Sequence, residues 1–246
     1  MVAVGSAAAQ PEALPAVTPY RPSVSTPAAL SAPGWLEVEA GFQNSRAVDP
    51  DSRASLPYDL KLAFTPDWGI RLGGDAYVRE HSADGSTVSG FGDTSVILKR
   101  RFEVNAASAF GLEFGVKSPT ARSGIGSGHT DLTLNGIYSG DFAEAWHADI
   151  NVWATHPGGA DPGTAAWQGG WATALSRDLS DRYGVSAELS GTQQRGAAST
   201  SQALLAASWS PSPAQTLDIG FSKGLSAASG GWSFFFGTTF LLAHLF

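Results

Sequence analysis

Charged side chains recur along one face of the predicted strands, and they are the residues best suited to chemistry in this chain. Each alternates with apolar neighbours and so falls on the polar face of its strand. If that face encloses water, the charges can form a constriction that selects solutes. If it encloses little water, they form ion pairs that fill the interior, because an unpaired buried charge is costly. The predicted lumen-lining residues are Asp59, Lys61, Arg71, Asp75, Arg79, Lys99, Arg101, Glu113, Lys117, Asp131, Asn135, Asp149 and Glu188.

Histidine–aspartate pairs give a weaker indication of catalysis. His129 lies near Asp131, and His147 shares a strand face with Asp149, so the second pair can hydrogen-bond. A lipid-modifying acyl hydrolase needs instead a serine and a histidine at the lipid-facing rim, oriented by an acid. His244 lies on that side without an evident partner, and no nucleophile elbow is present. We therefore expect no enzyme, with no catalytic residue, no metal site and no cofactor.

Apolar and polar residues alternate with period two from Gly34 onward, which predicts strands. In the stretch from Leu56 to Phe64, helical spacing would place Asp59 and Lys61 among the apolar residues, so a helix is rejected. Each predicted segment is close to the roughly 9–11 residues that cross a bilayer as a tilted strand. The twelve segments are 34–42, 54–64, 68–79, 92–104, 109–118, 129–139, 145–155, 166–177, 182–193, 200–209, 215–223 and 232–246.

The connections between these segments alternate between short ones and longer ones rich in Gly, Ser, Asp and Pro. Outer-membrane barrels have this asymmetry, since their periplasmic turns are short and their extracellular loops are longer. The order of alternation puts both termini in the periplasm. Aromatic residues near strand ends indicate two interfacial girdles. They are Trp35, Trp68, Trp146, Tyr183 and Trp209 on the short-turn side and Trp153, Trp167 and Trp232 on the other.

The last segment ends on an aromatic residue, Phe246, as the final strand of an outer-membrane barrel does. A soluble barrel or sandwich would show the same alternation, so alternation alone does not say which face is buried. The terminal Phe, the loop asymmetry and the girdles favour a membrane. We therefore predict an all-β fold, a transmembrane antiparallel β-barrel of about twelve strands with both termini periplasmic. Its expected location is the outer membrane of a Gram-negative bacterium.

Composition excludes several other classes of protein, and the N-terminal residues differ in composition from the rest of the chain. A net charge of −7 without a basic stripe argues against a nucleic-acid partner. The absence of cysteine excludes disulfide scaffolds and thiolate metal sites. Residues 1–9 are interpreted as the remnant of a signal peptide with a small-residue cleavage site at Ala7-Ala8-Ala9. Residues 10–33 are rich in proline and predict an extended periplasmic segment without a core of its own. The barrel is expected to occupy residues 34–246.

Two central stretches resemble a known family. Gly90-Phe91-Gly92-Asp93 through Lys99 is similar to a strand opening of that family, and Lys117-Ser118-Pro119-Thr120 through Asp131 is similar to a second motif. The family is the transporter-like outer-membrane proteins named for the MetA pathway of phenol degradation. The motifs cover about forty residues, and Ala121 stands where the family usually has glycine. The resemblance implies a barrel and the uptake of aromatic compounds.

The expected function is passive transport of small molecules, aromatic or hydrophobic ones among them, across the outer membrane. The alternatives are a barrel with a plugged lumen that acts as an envelope structural or binding protein, and a lipid-modifying outer-membrane enzyme. A barrel of about eight strands is filled by side chains, and one of sixteen strands is open. A barrel of twelve strands is therefore compatible both with an open channel and with a plugged lumen. The expected partners are outer-membrane lipid and lipopolysaccharide, the barrel assembly machinery and a small-molecule solute, without nucleic acid.

Overall fold

The computed structural model describes residues 14–46 and 52–246. The predicted signal remnant at residues 1–9 lies outside the described residues. The only helical element in the described part is a 3-10 turn at Ala227–Ser229. Within that part, no helix is long and apolar enough to cross a membrane. The strands are β1 Trp35–Arg46, β2 Ser52–Ala63, β3 Trp68–His81, β4 Thr87–Gly90, β5 Thr94–Asn105, β6 Ser108–Ser118, β7 Asp131–Ala143, β8 Trp146–His156, β9 Gln168–Ser180, β10 Tyr183–Gln193, β11 Thr200–Ser212, β12 Gln215–Gly224 and β13 Trp232–His244.

Twelve of these strands form a closed antiparallel barrel, which confirms the predicted fold class. Neighbours in sequence pair with one another, β1 pairs with β13, and the pairing of β2 with β3 completes the ring. Strand β4 is an addition that pairs only with the end of β3, inside a stretch predicted as a loop. Both Gly34 and the end of β13 lie at the end of the barrel with the short connections. We call this the turn end and the opposite one the loop end.

Most large apolar side chains of the strands point outward and most charged ones point inward, the reverse of a soluble barrel. Phe114 and Leu134 are 48% and 50% exposed on the outer surface, whereas Lys61 and Lys99 are fully buried inside the ring. Burying charge while leaving a belt of Phe, Leu, Ile and Val uncovered is stable only where the outer surface meets lipid. The barrel is therefore a transmembrane barrel of the outer-membrane kind.

Three side chains, those of Val78, Arg79 and Trp153, face the opposite way from the sequence pattern. The register between β2 and β3 shifts at Ala76, so that Pro57 is opposite Asp75 while Leu56 is opposite Tyr77. A bulge inserts one residue and reverses the faces beyond it. Val78 is consequently buried inside, and Arg79 points outward instead of lining the lumen. Trp153, predicted in a girdle, follows the inward face of β8 and lies against Gly170.

The outward position of Phe114 gives a stability prediction. Replacing Phe114 by Arg places a charge in the middle of the apolar belt and should lower the free energy of unfolding by about 2–4 kcal/mol. Leu179→Arg, near the turn end of β9, is the matched control and should cost at most about 1 kcal/mol, because the interface is wetter. Urea unfolding in lipid vesicles measures both. Equal costs at the two positions would contradict the placement of Phe114 near the bilayer centre.

Candidate functional site

The N-terminal segment lies inside the barrel. Residues 17–33, which we call the plug, enter and leave at the turn end, since the Val17 N–H donates to the Pro213 carbonyl and Pro33 bridges to Ala63. Between these points the segment rises into the lumen and turns back around Val24. The sequence predicted an extended segment in the periplasm. The structure differs because the lumen side chains supply the hydrogen-bond partners that a proline-rich segment cannot supply itself.

Backbone N–H groups of the plug donate to acceptors on the barrel wall. The amide of Tyr20 donates to Glu39 at 2.7 Å and that of Ser25 to Glu188 at 2.8 Å. Ala28 N–H donates to the Ser139 hydroxyl at 2.7 Å. Carboxylates that accept backbone N–H groups form strong, charge-assisted bonds. Much of the buried acidic charge of the wall therefore serves to hold the plug. The remaining amide contacts join Thr18 to Glu37, Arg21 to Glu39, Val24 to Glu188 and Thr26 to Asn151.

The ring of Tyr20 sits among three cationic side chains. The Nζ atoms of Lys61 and Lys99 lie 4.1 Å and 4.2 Å from its centroid, and the Arg71 guanidinium carbon lies at 4.7 Å. Its hydroxyl donates to the Ala29 carbonyl at 2.6 Å and accepts from Lys99 at 3.0 Å. Cations over an aromatic face are attracted by its quadrupole. The wall thus provides a cationic cage for one aromatic ring, formed by Lys61, Arg71 and Lys99.

The charges around this cage are paired. Lys61 binds Glu37 and Glu39, and both carboxylates are buried. Arg71 binds Asp59 at 2.7 Å and Glu113 at 3.0 Å, and Lys99 reaches the same Glu113 oxygen at 3.2 Å. Asn135 donates a further hydrogen bond to Glu113. Of the two uses predicted for the charged face, ion pairing therefore describes this part of the lumen.

The other predicted lining residues lie toward the ends. Arg101, near the turn end, pairs with Glu103, and Asp149 accepts a hydrogen bond from Ser139. At the loop end, Asp75 pairs with Arg53. Arg79 alone among the predicted residues faces outward.

The two stretches that resemble the phenol-degradation family meet at the loop end. Lys117 pairs with Asp131 at 2.6 Å and with Asp93 at 3.3 Å. The Thr120 hydroxyl accepts from the Thr94 N–H at 2.9 Å, and Asp93 accepts from the Ala121 N–H at 3.0 Å. These contacts fold the loop after β6 onto the start of β5, so the motif residues organise the wall beside β4.

The histidine–aspartate pair predicted on β8 is formed. His147 Nε2 lies 3.2 Å from Asp149, and its Nδ1 lies 2.6 Å from Asp141. Ser139, the nearest hydroxyl in this network, hydrogen-bonds to Asp149 rather than to the imidazole. A hydrolase would need the serine within reach of the histidine base. The cluster instead links the plug, through Ala28 and Ser139, to the rim at the turn end.

Two cavities flank the apex of the plug. One, of about 320 Å³, lies toward the loop end and is lined by Gln43, Tyr58, Asp59 and Gln202. The other, of about 480 Å³, lies toward the turn end and is lined largely by small residues of β9–β12, such as Ser186 and Ser208. Residues Tyr20 to Ser23 line both cavities. A short stretch of the plug therefore separates them.

Sequence reasoning missed Tyr20 and Arg21, the plug residues with the most contacts to buried charge. Arg21 binds Asp218 on β12, whose side chain is 3% exposed. Neither residue belongs to a periodic pattern. The one available signal was that the inward face carries several acidic residues near the turn end, including Glu37 and Glu39, which need donors beyond those of neighbouring strands.

Comparison with known proteins agrees on the fold. An outer membrane channel from Pseudomonas putida F1 superposes with a TM-score of 0.70 at 14% sequence identity, over 87% of this chain and 97% of that one. The KdgM porin gives 0.61 at 7% identity, over 84% and 99% of the two chains. The NanC porin gives 0.59 at 9% identity, over 84% and 100%. At these identities the likeness shows a shared barrel fold.

No protein-family model matches the chain. No curated protein matches it in sequence.

Proposed function

We propose that this chain is a passive channel for small solutes in the bacterial outer membrane, closed by its own plug and opened when the plug moves. The observation that carries this proposal is the pair of cavities that share the stretch from Tyr20 to Ser23 as a common wall. Displacing that stretch would join a cavity facing the turn end to one facing the loop end. The similar structures described as channel and porins support the same reading.

The proposed path follows the part of the barrel wall that carries small inward-facing residues. Inward positions of β9 to β12 carry Ala174, Ser186, Ser208 and Ser222, whereas β1 to β6 carry the large ion-paired side chains. Solute would pass along the small residues, and the ion-paired network around Lys61 and Lys99 would form the opposite side of the path. Of the predicted lining residues, Lys61, Lys99 and Glu188 hold the plug, Asp59 and Arg71 line the loop-end cavity, and Asp149 lines the turn-end cavity.

An aromatic substrate is the finer part of the proposal. The cage of Lys61, Arg71 and Lys99 holds the Tyr20 ring in the closed state and would be free for another ring once the plug moves. Three cations at a desolvated site favour aromatic over saturated solutes. This agrees with the substrate class that the family resemblance implies.

The lengths of the connections indicate the orientation of the barrel in the membrane. We place the turn end in the periplasm, because short turns face that side in outer-membrane barrels, and the longer loops outside, next to lipopolysaccharide. The terminal Phe246 is 65% exposed at the turn end. There it is available to the barrel assembly machinery, and deleting it should reduce assembly in cells.

Measuring solute flux tests both the channel function and the preference for aromatic solutes. Proteoliposomes containing the full chain should take up benzenesulfonate and cyclohexanesulfonate, two impermeant anions of similar size, faster than vesicles of lipid alone. The aromatic anion should enter faster, because its ring can occupy the cage. Uptake of neither anion would favour the alternative, a plugged barrel with a structural or binding role. Equal uptake of both would retain the channel and contradict the aromatic preference.

A further inference from the structure

The side chain of Arg21 occupies a socket that is shaped for a planar cation. Its guanidinium lies on Gly41 of β1 and Gly237 of β13, which are directly opposite each other across the two strands. A Cβ atom built on Gly41 would lie 2.7 Å from the guanidinium carbon, and one built on Gly237 would lie 2.8 Å from it. Any larger residue at either position would lift the cation off the wall, so the two glycines create a flat seat.

The polar partners of the socket match the edge of a guanidinium. Arg21 Nε donates to one oxygen of Asp218 at 3.3 Å, and Nη2 donates to the other at 3.3 Å. Nη2 also donates to the Phe236 carbonyl at 3.2 Å. Asp218 is opposite Gly237 in the register of β12 and β13, so carboxylate and seat belong to one patch of wall. Two parallel N–H donors on a carboxylate give geometric selectivity that a point-charge ammonium lacks.

The socket lies on the proposed path. Arg21 lines both cavities, and the loop-end cavity is also lined by the acidic residues Glu39 and Asp59. Without the Arg21 side chain, Asp218 has no cationic partner among the described residues. A vacated socket is therefore acidic, nearly closed off from bulk water on the wall side, and open toward a cavity large enough to admit a small solute.

We propose that this patch, formed by Gly41, Gly237, Asp218 and the Phe236 carbonyl, is a binding subsite for guanidinium-bearing solutes, with Arg21 as its built-in occupant. Such a solute competes with Arg21, and its binding favours the displaced plug. Because Arg21 is tethered, its effective concentration at the socket is in the mM range, so a competing solute must be at comparable concentration. The subsite rests on the proposed function only for its role in transport, not for binding itself.

Calorimetry on a chain with the socket vacated tests the binding directly. The full-length Arg21→Ala variant, folded in detergent micelles, is titrated with methylguanidinium chloride and, separately, with methylammonium chloride at equal ionic strength. Methylguanidinium should bind roughly tenfold more tightly, because it makes the paired, charge-assisted bonds that the ammonium cannot make. The double variant Arg21→Ala/Asp218→Asn should lose this difference. If Arg21→Ala does not fold, Arg21→Gln leaves the carboxylate without its cation and serves in the same titration.

The outcomes separate this proposal from the channel function. Preferential binding of methylguanidinium that depends on Asp218 supports the subsite, even if no variant transports solute. Equal binding of the two cations, or binding unaffected by Asp218→Asn, overturns the subsite and leaves the channel proposal standing on its own flux measurements.

Discussion

A chain that lacks residues 14–33 is expected to conduct ions through planar bilayers severalfold better than the full chain. The deletion removes the stretch from Tyr20 to Ser23 that separates the two cavities, and the twelve wall strands keep all of their pairings. The lumen that remains is lined by small residues on one side and by ion pairs on the other, so water can fill it. Single-channel recording compares the two proteins at the same salt concentration.

A milder variant keeps the plug and weakens one of the contacts that hold it to the wall. Glu188→Gln removes the charge that binds the Ser25 amide and hydroxyl, while the amide oxygen of Gln still accepts one hydrogen bond. Its openings should be more frequent than those of the full chain and their amplitude should approach that of the truncated chain. A truncated barrel that conducts no better than the full chain, with both shown to be folded, would contradict occlusion by the plug.

The second large effect concerns the buried charges around Tyr20. Lys61→Met should lower the free energy of unfolding by about 3–5 kcal/mol, because removing one partner leaves an uncompensated buried charge. Here two carboxylates, Glu37 and Glu39, lose their cation in a site that is fully buried. Urea unfolding in vesicles measures the change.

Two comparisons make the Lys61 result specific. Lys223→Met removes an exposed lysine near the loop end of β12, and the change should be within about 0.5 kcal/mol, as for most surface substitutions. The triple variant Lys61→Met/Glu37→Gln/Glu39→Gln should recover much of the loss, since it leaves no unpaired charge. A loss that persists in the triple variant would mean that packing of the lysine stem, rather than its charge, is what stabilises the lumen.

Local alternation was sufficient to predict the wall of the barrel. Each strand needs one polar and one apolar face over about ten residues, and stretches such as Leu56 to Phe64 show both. The same rule failed at Ala76, where one bulged residue reverses the faces of Val78 and Arg79. A bulge leaves no periodic signal of its own, because the residues on either side alternate normally and only the partner strand reveals the shift.

The plug could not be predicted in the same way. Its contacts pair the amides of Tyr20 and Ser25 with Glu39 on β1 and Glu188 on β10, two strands that are far apart in the sequence. A proline-rich segment with few apolar residues has the composition of a disordered one. What orders it is a lumen that offers buried carboxylates without enough donors, a property of the closed barrel that no single stretch of sequence displays.

The charged face of the strands is buried inside the barrel, where Glu113, Lys99 and Arg71 meet. Sequence reasoning left open whether these residues line a path or form pairs. In the structure these charged residues form ion pairs. The proposed path follows the wall formed by β9 to β12, whose small residues, such as Ser208, were not predicted because they carry no charge.

The most direct test of the account is to lock the plug inside the lumen and measure flux. Ala28 is fully buried, and a Cβ atom built on Gly111 would lie 3.2 Å from the Ala28 Cα, close enough for a disulfide after small adjustment. The chain has no cysteine of its own, so Ala28→Cys/Gly111→Cys introduces a single pair. Benzenesulfonate uptake into proteoliposomes is measured for this variant when oxidised and after reduction, with the two single-cysteine variants as controls. Passage that depends on movement of the plug predicts no uptake above the lipid background in the oxidised state and restored uptake in the reduced state. Equal uptake in both states would contradict the claim that the plug controls the channel.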